Sequence, residues 1–566
     1  MNMYMNRLHT VLIATLSVTA LVAISAVAQS SEVHAKAVKA ASADPLLQAM
    51  QLELDREQDL LLLPGMQRPY FIEYRLDDFN TYEALASYGA LTREDRNHQR
   101  VVRVTVRIGD YASDSSSSRG DGSVELAPED NDPAALRYAL WTTTDEAYKA
   151  ALRAYATKQA QLKRFEKPAT EADFAKAAPV IAVEPTFTLK LNSEEWKRRI
   201  ATASGLFMTE PELKAVAPYV QYSTANVRGV VVNRFLVNSE GTVLRHGYGG
   251  YNASYSVGGQ AQDGMRLGRD NGSTAIDADE LEGAEAFRSR AVADVKSFEA
   301  LRNAPVADAE DFHGPVLFDG DAASDVLNRL FVPNVETDRP DMGTTARTTG
   351  AYQSSYKARV LPEMLSAVDD PHETTFHGHA LLGAYAVDDE GVPAQAVKLV
   401  EKGKLLNYLT ARTPVRDFPS SNGHGRAAPG QAAHARAGVM IFTASQPLSS
   451  TAMHDKLVGM AKEQGRDVYE VETLGGELAP RLLYRVHQDG TRQLVRGAVF
   501  DELDNRSLRS DIVAAGDDAF VQESLSAVPQ TTIAPSLLFG DIGVKRATDE
   551  QQKLPYYDAP AVAVRK

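Results

Sequence analysis

The 566-residue chain contains no cysteine. Disulfide staples are therefore excluded, and packing has to hold the fold together. A thiolate metal ligand and a thiol nucleophile are excluded as well. So is a lipid-anchored N-terminus, whose attachment needs a cysteine. Positive charge is in deficit, with 60 Lys and Arg against 75 Asp and Glu and a formal net charge of −15. No block of basic residues stands out, which argues against a phosphate-binding surface and so against nucleic acid as a partner. Beyond the first thirty or so residues no apolar run is long enough to span a bilayer. There is no Gly-x-Ser-x-Gly elbow, no phosphate-binding loop, and no internal repeat of the length that marks a solenoid.

The start of the chain is informative. Met1 to His9 carries one basic residue, Arg7, and no acid. Val11 to Ile24 is apolar, and Ala26-Val27-Ala28 before Gln29 has the small-residue spacing of a signal-peptidase site. This pattern predicts a secretory signal over 1–28 and a periplasmic or secreted protein, with no membrane attachment after cleavage. An uncleaved N-terminal anchor is the alternative. Residues 29–45 are small and polar and read as a flexible lead-in.

Hydrophobic residues make up 44% and charged residues 24%, so a sizeable core is affordable in two to four domains. Leu46–Leu63 reads as a helix ended by Pro64-Gly65. Tyr70–Tyr74 reads as a strand. Val102, Val104, Val106 and Ile108 alternate with Arg103, Thr105 and Arg107, the period of a half-buried strand. Thr143–Phe165 reads as a long helix, with Thr143 and Glu146 as its capping box. Further helices are predicted over Ser193–Ala203 and Leu281–Leu301. Val230–Val237 and Thr242–Arg245 flank a turn, and Gly247–Gly268 reads as further sheet. Lys402-Gly403 and Asp489-Gly490 each sit between two strand-like runs and predict hairpins. Strands and helices mix without strict alternation, so the predicted class is α+β.

The second half carries motifs in a telling order. Gly314-Pro315-Val316-Leu317-Phe318 is followed by a helix pattern. Gly383 to Pro393 contains Asp388-Asp389-Glu390-Gly391-Val392-Pro393, and Lys398–Leu409 continues as a hairpin. Arg481–Phe500 with Val495-Arg496-Gly497-Ala498, and then Pro535-Ser536-Leu537-Leu538-Phe539, close the series. In order and spacing these stretches resemble the TldD/PmbA family of metallopeptidase-related proteins, over about residues 228–546. The resemblance implies an α+β protein with a mixed N-terminal α/β domain and a β-rich C-terminal domain. On that pattern the chain divides into a signal peptide (1–28), a lead-in (29–45), an N-terminal α+β domain (46–225), a middle region (226–310) and the β-rich domain (311–566). In the family, the active subunit cleaves unfolded peptides with zinc held by a His-Glu-x-x-x-His motif and a distant Cys, and its partner subunit lacks the motif.

Zinc catalysis needs about three protein ligands, an open position for water and a nearby general base. The family motif begins directly after the strand that is here Val316–Phe318. Laid on this sequence, its first His position is Asp319, its Glu position Gly320 and its second His position Ser324, and the Cys has no counterpart. Asp319, Asp321 and Asp325 are expected to cap and complement the following helix start. A second match to His-Glu-x-x-x-His, His372 to His377 with His379 beyond, is expected in extended chain because Thr374-Thr375-Phe376 favours it over helix. There His377 and His379 share a strand face and His372 does not. Asn422-Gly423-His424-Gly425-Arg426 reads as a mobile, solvated loop, and Asp388, Asp389 and Glu390 as the residues of a turn.

The resemblance thus implies a protein closer to the zinc-less subunit than to the active one. It would help bind unfolded peptide, with no catalytic residue of its own at the degenerate positions and no cofactor. Its expected partner is a TldD-like subunit, in a homo- or hetero-dimer. One alternative is an active zinc peptidase using His372, His377 and His379. Another is a scaffold or binding protein unconnected with proteolysis.

Overall fold

The computed structural model describes residues 31–116, 120, 122–164, 171–308, 312–340, 344–547, 552–557 and 559–560. The predicted signal segment, 1–28, lies outside them. The expected flexible lead-in is a correction: residues 31–41 are helical, and Ala37 and Ala41 are buried. Alanine is both the strongest helix former and small enough to let a helix lie close to its neighbour, so a run of small residues is not a run of coil. A second helix, Pro45–Leu60, follows at once. Asp44 caps it by accepting from Leu46 N and Leu47 N, with Pro45 in the first turn.

Four long strands build the first sheet. Phe71–Ser87 and Ala90–Arg107 form one hairpin, and Val220–Asn238 and Val243–Gln260 another. The first hairpin turns on Tyr88 and Gly89, both with positive φ, the two-residue turn whose twist suits paired strands. The sequence reading reaches only parts of the first three strands. Thr92 to Gln99 is charged and exposed, without apolar alternation, and pairs because its neighbour Phe71–Ser87 supplies the ladder and cross-strand ion pairs such as Arg93–Glu83. The boundary expected at 225/226 falls inside Val220–Asn238, which pairs with Phe71–Ser87 from Thr224 to Asn238. The N-terminal and middle regions therefore share one seven-stranded sheet.

One face of that sheet is covered by helices. Ile72, Tyr74 and Leu76 pack with Leu140, Tyr148 and the two N-terminal helices. Farther along the same strands, Tyr82, Ala84, Tyr251 and Tyr255 pack with Trp196, Phe287 and Phe298. These last come from helices Ser193–Thr209 and Ala284–Asn303. The long helix starts earlier than predicted, at Pro133, because Asp132 caps it by accepting from Ala134 N and Ala135 N. Thr143, the expected cap, is a mid-helix residue whose hydroxyl donates to Ala139 O at 2.7 Å.

The C-terminal half contains a six-stranded and a seven-stranded sheet. Their facing sides enclose one large core, including Val316, Phe318, Val471 and Phe539 from one sheet and Ala367, Leu399, Met440 and Phe442 from the other. Helix Gly320–Leu330 buries Ala322, Ala323, Val326 and Leu327 in that core. Helix Ser450–Gln464 covers the outer face of the seven-stranded sheet through Met453, Leu457 and Ala461. Both predicted hairpins form, at Lys402-Gly403 and at Asp489-Gly490. Among the described residues no helix is long and apolar enough to cross a membrane.

Candidate functional site

Strands Phe312–Phe318 and Val468–Leu474 lie side by side and parallel, Val316 opposite Tyr469 and Phe318 opposite Val471. At their C-terminal ends the chain turns at Asp319 into helix Gly320–Leu330. Asp319 occupies the N-cap position in extended conformation, yet its side chain accepts no capping hydrogen bond. The expected capping role therefore fails for Asp319. Its carboxylate instead lines a pocket of about 330 Å³. Burial, followed by the negative charges of Glu470 and Glu472, pushes its pKa up to about 7. Asp321 sits in the first turn, as the helix dipole favours. Asp325 accepts from Gln522 Nε2 at 2.7 Å.

Gly320 and Ser324, the other two positions singled out in the sequence, bring no titratable side chain to the pocket. A Cβ on Gly320 would come within 2.6 Å of Phe520 Cβ. Ser324 is fully buried, and its hydroxyl donates to Gly320 O at 2.7 Å. The remaining polar wall of the pocket comes from residues far off in sequence. Glu470 lies on the neighbouring strand and His454 on the Ser450–Gln464 helix. Asp518 and Ser536 come from the C-terminal segment. Asp518 Oδ1 accepts from Ser536 Oγ at 2.8 Å and Ser536 N at 3.1 Å. Glu470 is 6% exposed, and its Oε2 accepts no hydrogen bond. His454 Nδ1 and Arg492 Nε each stand 3.3 Å from that oxygen. Leu317, Met453 and Phe520 form an apolar wall. Sequence reading finds Asp319 and misses Glu470, His454 and Asp518, because no local spacing connects Asp319 with residues more than 130 positions away that reach it only through tertiary packing.

The histidine segment is a turn and a hairpin rather than one extended strand. Thr375–Phe376 pairs with His379–Ala380 around His377 and Gly378, both with positive φ. His377 is thus in the turn, and its ring stacks on Phe376 with centroids 4.1 Å apart. The strand face expected for His377 and His379 does not exist. His379 Nε2 stands 3.5 Å from Glu523 Oε1, and His372 Nδ1 3.1 Å from Asp370 Oδ1. Each imidazole has its own neighbour. Among the described residues no three His, Asp or Glu side chains gather around a common point suited to a metal ion.

The expected solvated loop at 422–426 is also corrected. His424 is fully buried, with Nε2 3.1 Å from Asp369 Oδ1 and Nδ1 3.0 Å from Asn422 Oδ1. Gly425 N donates to Asp388 Oδ2 at 2.8 Å, and Ala427 N to Asp389 Oδ2 at 2.7 Å. Asp388 does shape the predicted turn, its Oδ1 accepting from Glu390 N and Val392 N. The same acids do more than that. Asp389 pairs with Arg234 of the N-terminal sheet, and Arg234 Nε donates to Asp77 Oδ1 at 2.6 Å. Gly430 N in turn donates to Asp77 Oδ2 at 2.8 Å. Opposite charges hold Asp389 well below the usual carboxylate range despite burial, while burial and the adjacent Glu390 push Asp388 up. This buried network joins the helix-free face of the N-terminal sheet to the C-terminal loops. It is a clamp between halves, and the polar, Gly-rich sequence that builds it looks solvated only until its partners are present.

Residues 313–546 match the sequence model of the PmbA/TldA metallopeptidase C-terminal domain. No curated protein matches the chain. Among solved structures, a putative modulator of DNA gyrase from Thermotoga maritima MSB8 superposes with a TM-score of 0.60 at 16% identity, over 88% of this chain and 99% of that one. TldE from Thermococcus kodakarensis matches with a TM-score of 0.56 at 13% identity, over 88% and 99%. A putative modulator of DNA gyrase from Bacteroides thetaiotaomicron VPI-5482 matches with a TM-score of 0.57 at 11% identity, over 88% and 98%. At these identities the structural likeness is one of fold, and activity has to be argued from the site.

Proposed function

We propose, for a chain that belongs to the TldD/PmbA family through its domain at 313–546, an exported, zinc-less, peptide-binding role beside a TldD-like subunit that cuts. The observation that carries this reading is the state of the degenerate positions. Of these three positions only Asp319 brings a titratable side chain to the pocket, Gly320 abuts Phe520, and the Ser324 hydroxyl is consumed within its own helix. Metal-assisted hydrolysis asks for several converging ligands and a base. These three positions supply one carboxyl group with a raised pKa, and among the described residues it does not converge with two other His, Asp or Glu side chains on a common point.

Peptide binding needs less. Among the described residues, strand Phe520–Ser524 ends its six-stranded sheet and pairs on one side only. Phe520, at its start, also lines the pocket. An extended peptide laid along that edge gains main-chain hydrogen bonds and places side chains beside the pocket. Export is supported by the composition of residues 1–28, and the partner by the family's division of labour.

The test is elemental analysis and proteolysis with purified mature protein. The expected result is no stoichiometric zinc and no digestion of casein by the protein alone, with digestion when a zinc-bearing relative from the same cell is added. Casein digestion by the isolated protein, abolished by a chelator, overturns the proposal in favour of an active peptidase.

A further inference from the structure

We infer that the pocket beside Asp319 receives the cationic head of a basic side chain, guanidinium or ammonium, carried by the extended peptide. This rests on the peptide-binding role proposed above and specifies what that site selects.

Charge comes first. Asp319, Glu470 and Asp518 all line the cavity, with Glu472 close enough to Asp319 to act on its charge. His454 is the basic residue in the wall, and Arg492 approaches Glu470 from beside it. The fixed charges around the cavity are therefore short of cation. An independent observation points the same way. Glu470 is more than nine-tenths buried, and its Oε2 accepts no hydrogen bond. His454 Nδ1 and Arg492 Nε lie 3.3 Å from that oxygen but out of hydrogen-bond alignment, so its charge is partly met and the aligned donor it still lacks is one a ligand N–H can supply.

Shape selects the kind of cation. The acids come from one strand, a helix start and the C-terminal segment. No three of them meet around one point, as a divalent ion would require. A guanidinium spreads five donors over a planar fork, and an ammonium swings three, so either can reach oxygens that stand apart. The opposite wall is apolar, from Leu317, Met453 and Phe520, and suits the methylene stem of Lys or Arg. A volume of about 330 Å³ is room for one such side chain and not for a folded partner. A cation arriving here also offsets the repulsion from Glu470 and Glu472 that helps Asp319 keep its proton near neutrality, so binding releases a proton.

The experiment is titration calorimetry of the mature protein at pH 7 with N-acetylated unstructured peptides. One carries a central Arg and one a central Lys. The other two carry their neutral isosteres, citrulline and norleucine. Acetylation removes the terminal amine as a rival source of cation. The expected result is binding of the Arg or Lys peptide at least about tenfold tighter than its isostere, the scale of a hydrogen-bonded charged group. That preference should fall in Glu470→Gln and weaken with salt. Should Glu470→Gln fail to fold, the contrast between charged and neutral peptides on the unaltered protein decides alone. Equal affinity for all four peptides overturns the inference and leaves peptide binding standing. Binding of none overturns both. Stoichiometric binding of zinc chloride that displaces the Arg peptide overturns it in favour of a metal pocket.

Discussion

Asp319 holds a carboxyl group where burial and two neighbouring acids resist its ionisation, raising its pKa from 3.8 to about 7. Because the folded value lies above the unfolded one, the group favours folding fully at low pH, and that contribution is lost as pH rises through about 7. Asp319→Asn keeps the shape and removes the charge. The variant should match the unaltered protein near pH 4, and exceed it in urea midpoint at pH 8. A midpoint difference that stays constant from pH 4 to pH 8 would show that Asp319 ionises normally. Elsewhere in the chain, His246 contributes in the opposite sense. Burial lowers it from 6.5 to about 4, so it favours folding above its unfolded value and ceases to do so as pH falls through about 4. The two slopes partly cancel in the whole protein, which is why the substitution and not the bare pH profile is the informative measurement.

At the scale of elements, the strand-to-helix junction is locked by contact rather than by a cap. Gly320 starts the helix directly under Phe520, the first residue of the edge strand. With a Cβ-to-Cβ approach of 2.6 Å, neither a rotamer change nor a flexible chain end relieves the clash, since Cβ moves only with backbone. Gly320→Ala should cost roughly 1–3 kcal/mol in denaturant unfolding, the range of overpacked positions. Combining it with Phe520→Gly, which removes the opposing Cβ, should show a coupling of about 0.5 kcal/mol or more. Strictly additive effects would place the clash elsewhere. By the same contact a glutamate at 320 could not enter without moving the edge strand.

For the whole molecule, the connection between halves is a buried ionic clamp. Arg234 stands between Asp77 of its own sheet and Asp389 of the C-terminal loop, with side chains 3%, 0% and 8% exposed. Removing that cation leaves Asp77 with Arg75 at 3.3 Å, and leaves Asp389 buried with no arginine closer than Arg426 at 3.9 Å. Arg234→Met should therefore destabilise by about 3–5 kcal/mol, the cost of breaking rather than replacing a buried pair. It should also separate the unfolding of the N-terminal sheet from that of the C-terminal half in calorimetry. A single unshifted transition would show that apolar contacts hold the halves together without the clamp.

The alternation of Val102 to Ile108, the amphipathic run from Leu281 to Leu301, and the turn pairs at 402–403 and 489–490 were legible because each is a local pattern acting on its own backbone. So was the likeness of residues 313–546 to the PmbA/TldA C-terminal domain, carried by the order of motifs from Gly314 to Phe539. The absence of sulfur ligands needed no structure at all, being a matter of composition. Three-dimensional pairing decided the rest. Thr92 to Gln99 became strand through a neighbour's ladder. His377 became a turn residue through the pairing of Phe376 with His379. His424 was buried against Asp369, 55 residues away, and Asp389 against Arg234 of the other half of the chain. The pocket of Asp319, Glu470, His454 and Asp518 arises where parallel strands end and a distant segment folds over them. No sequence window contains it, because the forces that assemble it, sheet registry and burial of charge against charge, act across the chain rather than along it.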